Sequence, residues 1–384
     1  MNCTTHIRLS ALATGALLLV LGAACSSEKT PPGGSGKDAG TNTGTDGGGN
    51  ADGGTMTGAF NPSQLAARLA QAQCAFASRC QPFFLQYAGQ TEAKCTTEGT
   101  ADFTRNFTFL AAAITAGRVR YSSQAADACT AAFGSADCIL GLADECDGLF
   151  TGQQGMGQPC STGAECGANL YCTARTGQCG TCAPTVTLGQ PCDAAPCGDH
   201  LTCVQVDQMG NTACVPDNAQ EGGTCLTVQT GFCRGALQCV GDMTSTCQRP
   251  AAQGATCDAM QTTAPNCNVA VGQACLNATC GAASIAAIGA ACDPTMGSYC
   301  NADGYCPQGG MCAALPQAGS PCIGNPPDIC GTDAYCSNGN CAPQKPGGQA
   351  CAASLECQGA EAFCIFADGA TMGTCGPLTW RQCN

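Results

Sequence analysis

Cys160, Cys166 and Cys172 stand six residues apart in CSTGAECGANLYC, and Cys179 and Cys182 follow as a C-x-x-C pair. Sulfurs so spaced offer three chemistries: a metal cage, a redox dithiol, or disulfide staples. A zinc cage needs converging ligands, usually two C-x-x-C knuckles with or without His, and the chain supplies one knuckle here. A redox dithiol needs a βαβ setting with a helix terminus that lowers the thiol pKa, which this Gly-rich segment does not suggest. Staples are therefore the expected role, with no metal and no cofactor.

Other chemistry-bearing residues are sparse. His200, in PCGDHLTC, stands alone between cysteines, with no nucleophile motif beside it. Asp144 and Glu145 are adjacent in a short acidic turn, unlike the separated carboxylate pair of a glycosidase. No catalytic residue is expected.

The whole chain carries the same message. It has 38 Cys in 384 residues, a density typical of disulfide-built proteins outside the cytosol. Charged residues are 11%, aromatics 5%, and Gly fills 52 positions, so small stapled units are favoured over one large core. Residues 1–24 read as a signal peptide, with Arg8 before the apolar run ALATGALLLVL. The segment Leu21-Gly-Ala-Ala-Cys25 resembles the lipobox of bacterial lipoproteins, although Leu stands four rather than three residues before the cysteine. That resemblance implies lipidation of Cys25; ordinary cleavage near Ala24 is the alternative. Setting Cys3 and Cys25 aside leaves 36 cysteines, an even number that can pair completely.

Without Arg8 the chain keeps 13 Lys and Arg against 27 Asp and Glu, a net charge near −14. Such a balance gives no electrostatic footprint for nucleic acid, and any membrane attachment would be the lipid's. Residues 25–58 follow as a Gly-rich tether with no core-forming side chains, expected to be disordered and to span roughly 30 Å.

Residues 59–150 predict a small helical domain with six cysteines. Asn61-Pro62 opens one helix, with Gln64 placed as in a capping box and Leu65, Leu69, Ala72, Phe76 and Cys80 in one stripe. Phe103, Phe107, Leu110 and Ile114 make a second stripe ending at Gly117. A third helix begins at Ser122 or Ser123 and runs through Ala126 and Cys129 to Phe133.

Residues 156–384 hold seven copies of one unit, opening GQPC160, GQPC192, GGTC225, GATC257, GAAC292, GSPC322 and GQAC351. Each has four cysteines; the first and last units add Cys182 and Cys383. A unit near 30 residues cannot stay folded on apolar burial alone, and each bridge adds about 2–4 kcal/mol. Four cysteines allow three pairings. The pairing expected here is first with third and second with fourth, as in Cys160–Cys172 and Cys166–Cys179, because crossed bridges lock both loops of a hairpin.

The first unit, C-STGAE-C-GANLY-C-TARTGQ-C-GT-C, resembles the N-terminal cysteine-rich domain of the Dickkopf proteins, with an aromatic directly before the third cysteine and a closing C-x-x-C. The resemblance covers the chain from about residue 156 and implies a small disulfide-tied β-hairpin; it does not carry over Wnt antagonism. Tyr171, Tyr305, Tyr335 and Phe363 all occupy the aromatic position. More loosely, the layout resembles bacterial cysteine-rich surface lipoproteins.

The expected fold is a small α-helical disulfide-bonded domain followed by small disulfide-rich β-hairpin repeats in an elongated array. The expected function is non-enzymatic binding or display, with a lipid anchor in a bacterial cell envelope, at the outer membrane or cell surface. Tyr171, Tyr305, Tyr335 and the loop Ser161–Glu165 are the candidate contacts for a protein or glycan ligand. A structural stalk or coat is the alternative, and an enzyme with its site in residues 59–150 is a third.

Overall fold

The computed structural model describes residues 60–383, apart from 143–145, 175, 207–210, 218, 226–231, 242–244, 308–309, 325–326, 332, 360–361, 368–369 and 378. The expected signal, Cys25 and the tether lie outside the described residues, as do Asp144 and Glu145.

The helical part follows its caps and stripes. Helix α1 (Pro62–Cys80) starts where the Asn61 side chain accepts from the Gln64 amide at 3.1 Å, and it buries Leu65, Leu69, Cys74 and Cys80. A short helix α2 (Pro82–Tyr87) follows, which the sequence pattern did not suggest. Helix α3 (Glu92–Thr115) is capped by Thr91 and buries Phe103, Phe107 and Leu110. Ala70 faces Gly99, where an added Cβ would meet the Ala70 Cβ at 3.4 Å, so small residues let α1 and α3 approach closely. Strand β1 (Val119–Tyr121) precedes helix α4 (Ser123–Ser135), which is capped by Ser122 and buries Ala126, Cys129 and Phe133. Strand β2 (Phe150–Gly152) returns antiparallel to β1 and packs Phe150 against Phe60, Phe107 and Tyr121. Bridges Cys74–Cys95, Cys80–Cys138 and Cys129–Cys146 pin this core.

Each of the seven units is an antiparallel hairpin plus a leading turn. The Gly three residues before the first cysteine sits at left-handed φ in every copy: Gly157, Gly189, Gly222, Gly254, Gly289, Gly319 and Gly348, from +76° to +92°. Its N–H donates to the carbonyl of the hairpin's closing cysteine at 2.7–2.8 Å, and the next residue's carbonyl accepts that cysteine's N–H at 2.8–3.0 Å. The G-x-x-C opening is thus a backbone requirement, since side chains resist this conformation. In six units the third and closing cysteines face each other across the hairpin, for example Cys203 and Cys214 or Cys364 and Cys375. Both of their sulfurs then reach back to the first and second cysteines, and the small core of the unit is largely sulfur.

Units two to seven have the expected crossed pairing, first with third and second with fourth. In the first unit, built from β3 (Pro159–Cys160), β4 (Leu170–Cys172) and β5 (Gly180–Pro184), Cys160–Cys172 forms but Cys166 pairs with Cys182, not with Cys179. The register explains this correction: Cys182 lies opposite Cys172 and exchanges the turn bonds with Gly157 and Gln158, whereas Cys179 precedes β5.

Cys179 instead bridges to Cys383, 204 residues away. Alongside it, Phe366 donates to the Thr176 carbonyl at 3.0 Å and Gln178 to the Ala367 carbonyl at 2.6 Å. Unit one and unit seven therefore touch: the two ends of the repeat region are tied together, and the hairpin units are seen without an elongated array being established. The helical part meets several units along the way. Ala236 donates to the Ile139 carbonyl at 2.6 Å, Phe83 packs on Gly272 and, edge-on, on Tyr299 at 6.1 Å, and Ala302 donates to the Tyr87 carbonyl at 3.0 Å.

Candidate functional site

All 36 cysteines from Cys74 to Cys383 lie in 18 bridges. Sulfur triads such as Cys160, Cys166 and Cys182 approach within 4.8 Å, yet each sulfur belongs to a crossed bridge and offers no thiolate to a metal. The C-x-x-C pair is likewise divided, with Cys179 and Cys182 bonded to different partners.

The candidate aromatics occupy equivalent hairpin positions. Tyr171, Tyr305, Tyr335 and Phe363 are half-buried and stand opposite Ala183, Ala313, Ala342 and Gly376, small residues that leave room beside each ring. Tyr171, Tyr305 and Tyr335 belong to units one, five and six. Tyr335 also carries the Lys345 ammonium 5.9 Å from its ring centre, and Lys345 pairs with Glu356 of the next unit, so this ring serves a junction between units. His200 is exposed at φ 58° and stands 3.6 Å from Asp147.

Among the described residues, an organised polar site lies where three parts of the chain meet. Arg118, immediately before β1, directs its guanidinium at Glu165 in the first unit, Nε to Oε2 at 2.5 Å. Its other nitrogens donate to the carbonyls of Cys383, at 3.0 Å, and Pro159. The second Glu165 oxygen accepts from the Ser161 amide at 3.1 Å, the Ser161 hydroxyl at 2.6 Å and Trp380 Nε1 at 3.0 Å. Glu165 is 0% exposed and Arg118 9%. Charge and hydrogen-bonding capacity are matched, as a buried ion pair requires. The loop Ser161–Glu165, expected to contact a ligand, is thus committed through Ser161 and Glu165 to holding the helical part, the first unit and the C-terminal segment together.

Sequence reasoning did not pick out Arg118 or Trp380. One available signal was that Trp380 is the chain's single Trp, in a short segment ending on Cys383.

A shallow groove of about 350 Å³ lies between units three and four, lined by Phe232, Leu237, Gln238, Met260 and Gln261. Phe232 and Met260 are exposed there, and the Gln238 side-chain oxygen is buried without a partner. Elsewhere, Asp258 is held well below the usual carboxylate range by hydrogen bonds from Thr262, Thr263 and Met260, an arrangement that shapes its own loop. Burial raises the Tyr87 and Tyr299 hydroxyl pKa values where the helical part meets unit five.

Comparison with protein-family models, with curated proteins and with solved structures returns no match for this chain.

Proposed function

We propose that the chain is a non-enzymatic, extracytoplasmic binding or display protein, anchored through a lipid on Cys25 in a bacterial cell envelope. One observation carries this reading: every cysteine from Cys74 onward is spent on a bridge, so the chain's most abundant reactive side chain has become its scaffold. Such a scaffold suits an oxidising compartment. On it, repeated hairpins present Tyr171 and Tyr305 beside variable loops, the common arrangement of a rigid frame bearing recognition loops. The ligand class is a protein or glycan.

A protective coat is the second reading. It is favoured by the density of bridges and by the tie between units one and seven, which leave few chain segments that can open independently.

Two measurements test the proposal. Labelled fatty acid should appear on the wild-type chain and vanish in Cys25→Ser; label on neither would dismiss the anchor. Purified protein on glycan and peptide arrays should show binding that Tyr171→Ala and Tyr305→Ala weaken. Absence of any binding, with full protease resistance, would favour the coat.

A further inference from the structure

We infer that Cys179–Cys383 is a redox-releasable latch holding a C-terminal strap, residues 379–383, on the junction of the helical part and unit one. Three observations support this. The three bridges of the helical part span 17 to 58 residues and the two within each repeat unit 11 to 18, whereas this one, alone among the described bridges, joins the first unit to the C-terminal end of the last, over 204 residues. Cys179 is exposed as a residue while Cys383 is 1% exposed, so Cys179 is the end of the bridge on the open side. The strap is also held by hydrogen bonds, among them those from Trp380 to Glu165 and from Arg118 to the Cys383 carbonyl, which can break and re-form.

The chemistry balances with a protein dithiol as reductant. One thiolate of the dithiol attacks Cys179 Sγ, forming a mixed disulfide and expelling Cys383 as a thiolate that takes up a proton. The second thiol then attacks its partner sulfur in the mixed disulfide and releases Cys179. The dithiol leaves as a disulfide and the latch as two thiols. Cys203 is also exposed, but its partner Cys192 is 11 residues away and the crossed bridge Cys197–Cys214 holds the hairpin. A thiol freed there stays beside the mixed disulfide and recloses, whereas a freed Cys383 can leave with the strap.

Trp380, as the only Trp, reports the strap directly. The mature full-length protein would be treated with stepwise dithiothreitol and quenched with N-ethylmaleimide. Labelled positions would be mapped by peptide mass, and Trp380 emission and acrylamide quenching followed in parallel. The first two labels should fall on Cys179 and Cys383, together with a red shift and increased quenching that reoxidation reverses. The Cys179→Ser/Cys383→Ser variant should show the raised quenching without dithiol. First labels on Cys192 and Cys203, labels spread evenly over the bridges, or labelled Cys179 and Cys383 with unchanged Trp380 emission would each overturn the inference.

Discussion

Replacing Glu165 by Ala would strip the counter-charge from Arg118, a residue 9% exposed, and leave Ser161 and Trp380 donating to nothing. Breaking a buried ion pair from one side costs about 3–5 kcal/mol, because the remaining charge stays desolvated. Arg118 keeps only its two carbonyl acceptors, Cys383 and Pro159, which do not neutralise it. Double replacement, Arg118→Leu with Glu165→Leu, removes both charges together and should recover most of the loss. The assay is guanidinium denaturation with the bridges intact, read by Trp380 emission for the junction and by ellipticity for the helices. A Glu165→Ala loss below about 1 kcal/mol, the range of exposed pairs, would show that this ion pair is not held as a desolvated one.

Other outcomes follow from the same geometry. Gly189→Ala meets no atom within 4 Å but forces a side chain to φ 76°, so a loss of about 1 kcal/mol is expected in the denaturation midpoint. Gly152→Ala places a Cβ 1.9 Å from the Cys166 carbonyl oxygen, and the yield of correctly bridged protein on refolding should collapse. Cys179→Ser/Cys383→Ser removes a bridge worth up to about 5 kcal/mol for a 204-residue loop, less here because other bridges already shorten it; the Trp380 transition should move first. Tyr87 and Tyr299 have raised folded pKa values, so their contribution is whole below about pH 10 and lost as pH climbs through the folded values. Absorbance titration should show both hydroxyls ionising late, with loosening of the Phe83–Tyr299 contact.

Local signals were legible in the sequence and distant pairings were not. Asn61, Ser122 and the Phe103–Phe107–Leu110 stripe announced three helices because caps and periodicity act within a few residues. Helix α2 is too short, and its PFFLQY too uniformly apolar, to show a period. Strands β1 and β2 are three residues each and pair across α4, which no local pattern reveals. The seven units were visible through G-x-x-C, whose Gly the turn demands.

The pairing of Cys166 failed because Cys179 stood at the expected spacing. A different local mark is present in four of the seven units: the closing cysteine opens Cys-x-Pro in Cys182-Ala183-Pro184, Cys214-Val215-Pro216, Cys341-Ala342-Pro343 and Cys375-Gly376-Pro377, whereas Cys179 does not. The Arg118–Glu165–Trp380 junction spans 47 and 215 residues, so only the folded chain brings it together.

All cysteine sulfurs from Cys74 to Cys383 are paired, in one defined set of bridges. Non-reducing peptide mapping of the mature protein, with intact mass before and after reduction, tests it most directly. Reduction should add two hydrogens per bridge across 18 bridges, and mapping should yield linked peptides for Cys166–Cys182 and Cys179–Cys383. Free thiols among Cys74 to Cys383, or a Cys166–Cys179 peptide, would contradict this pairing.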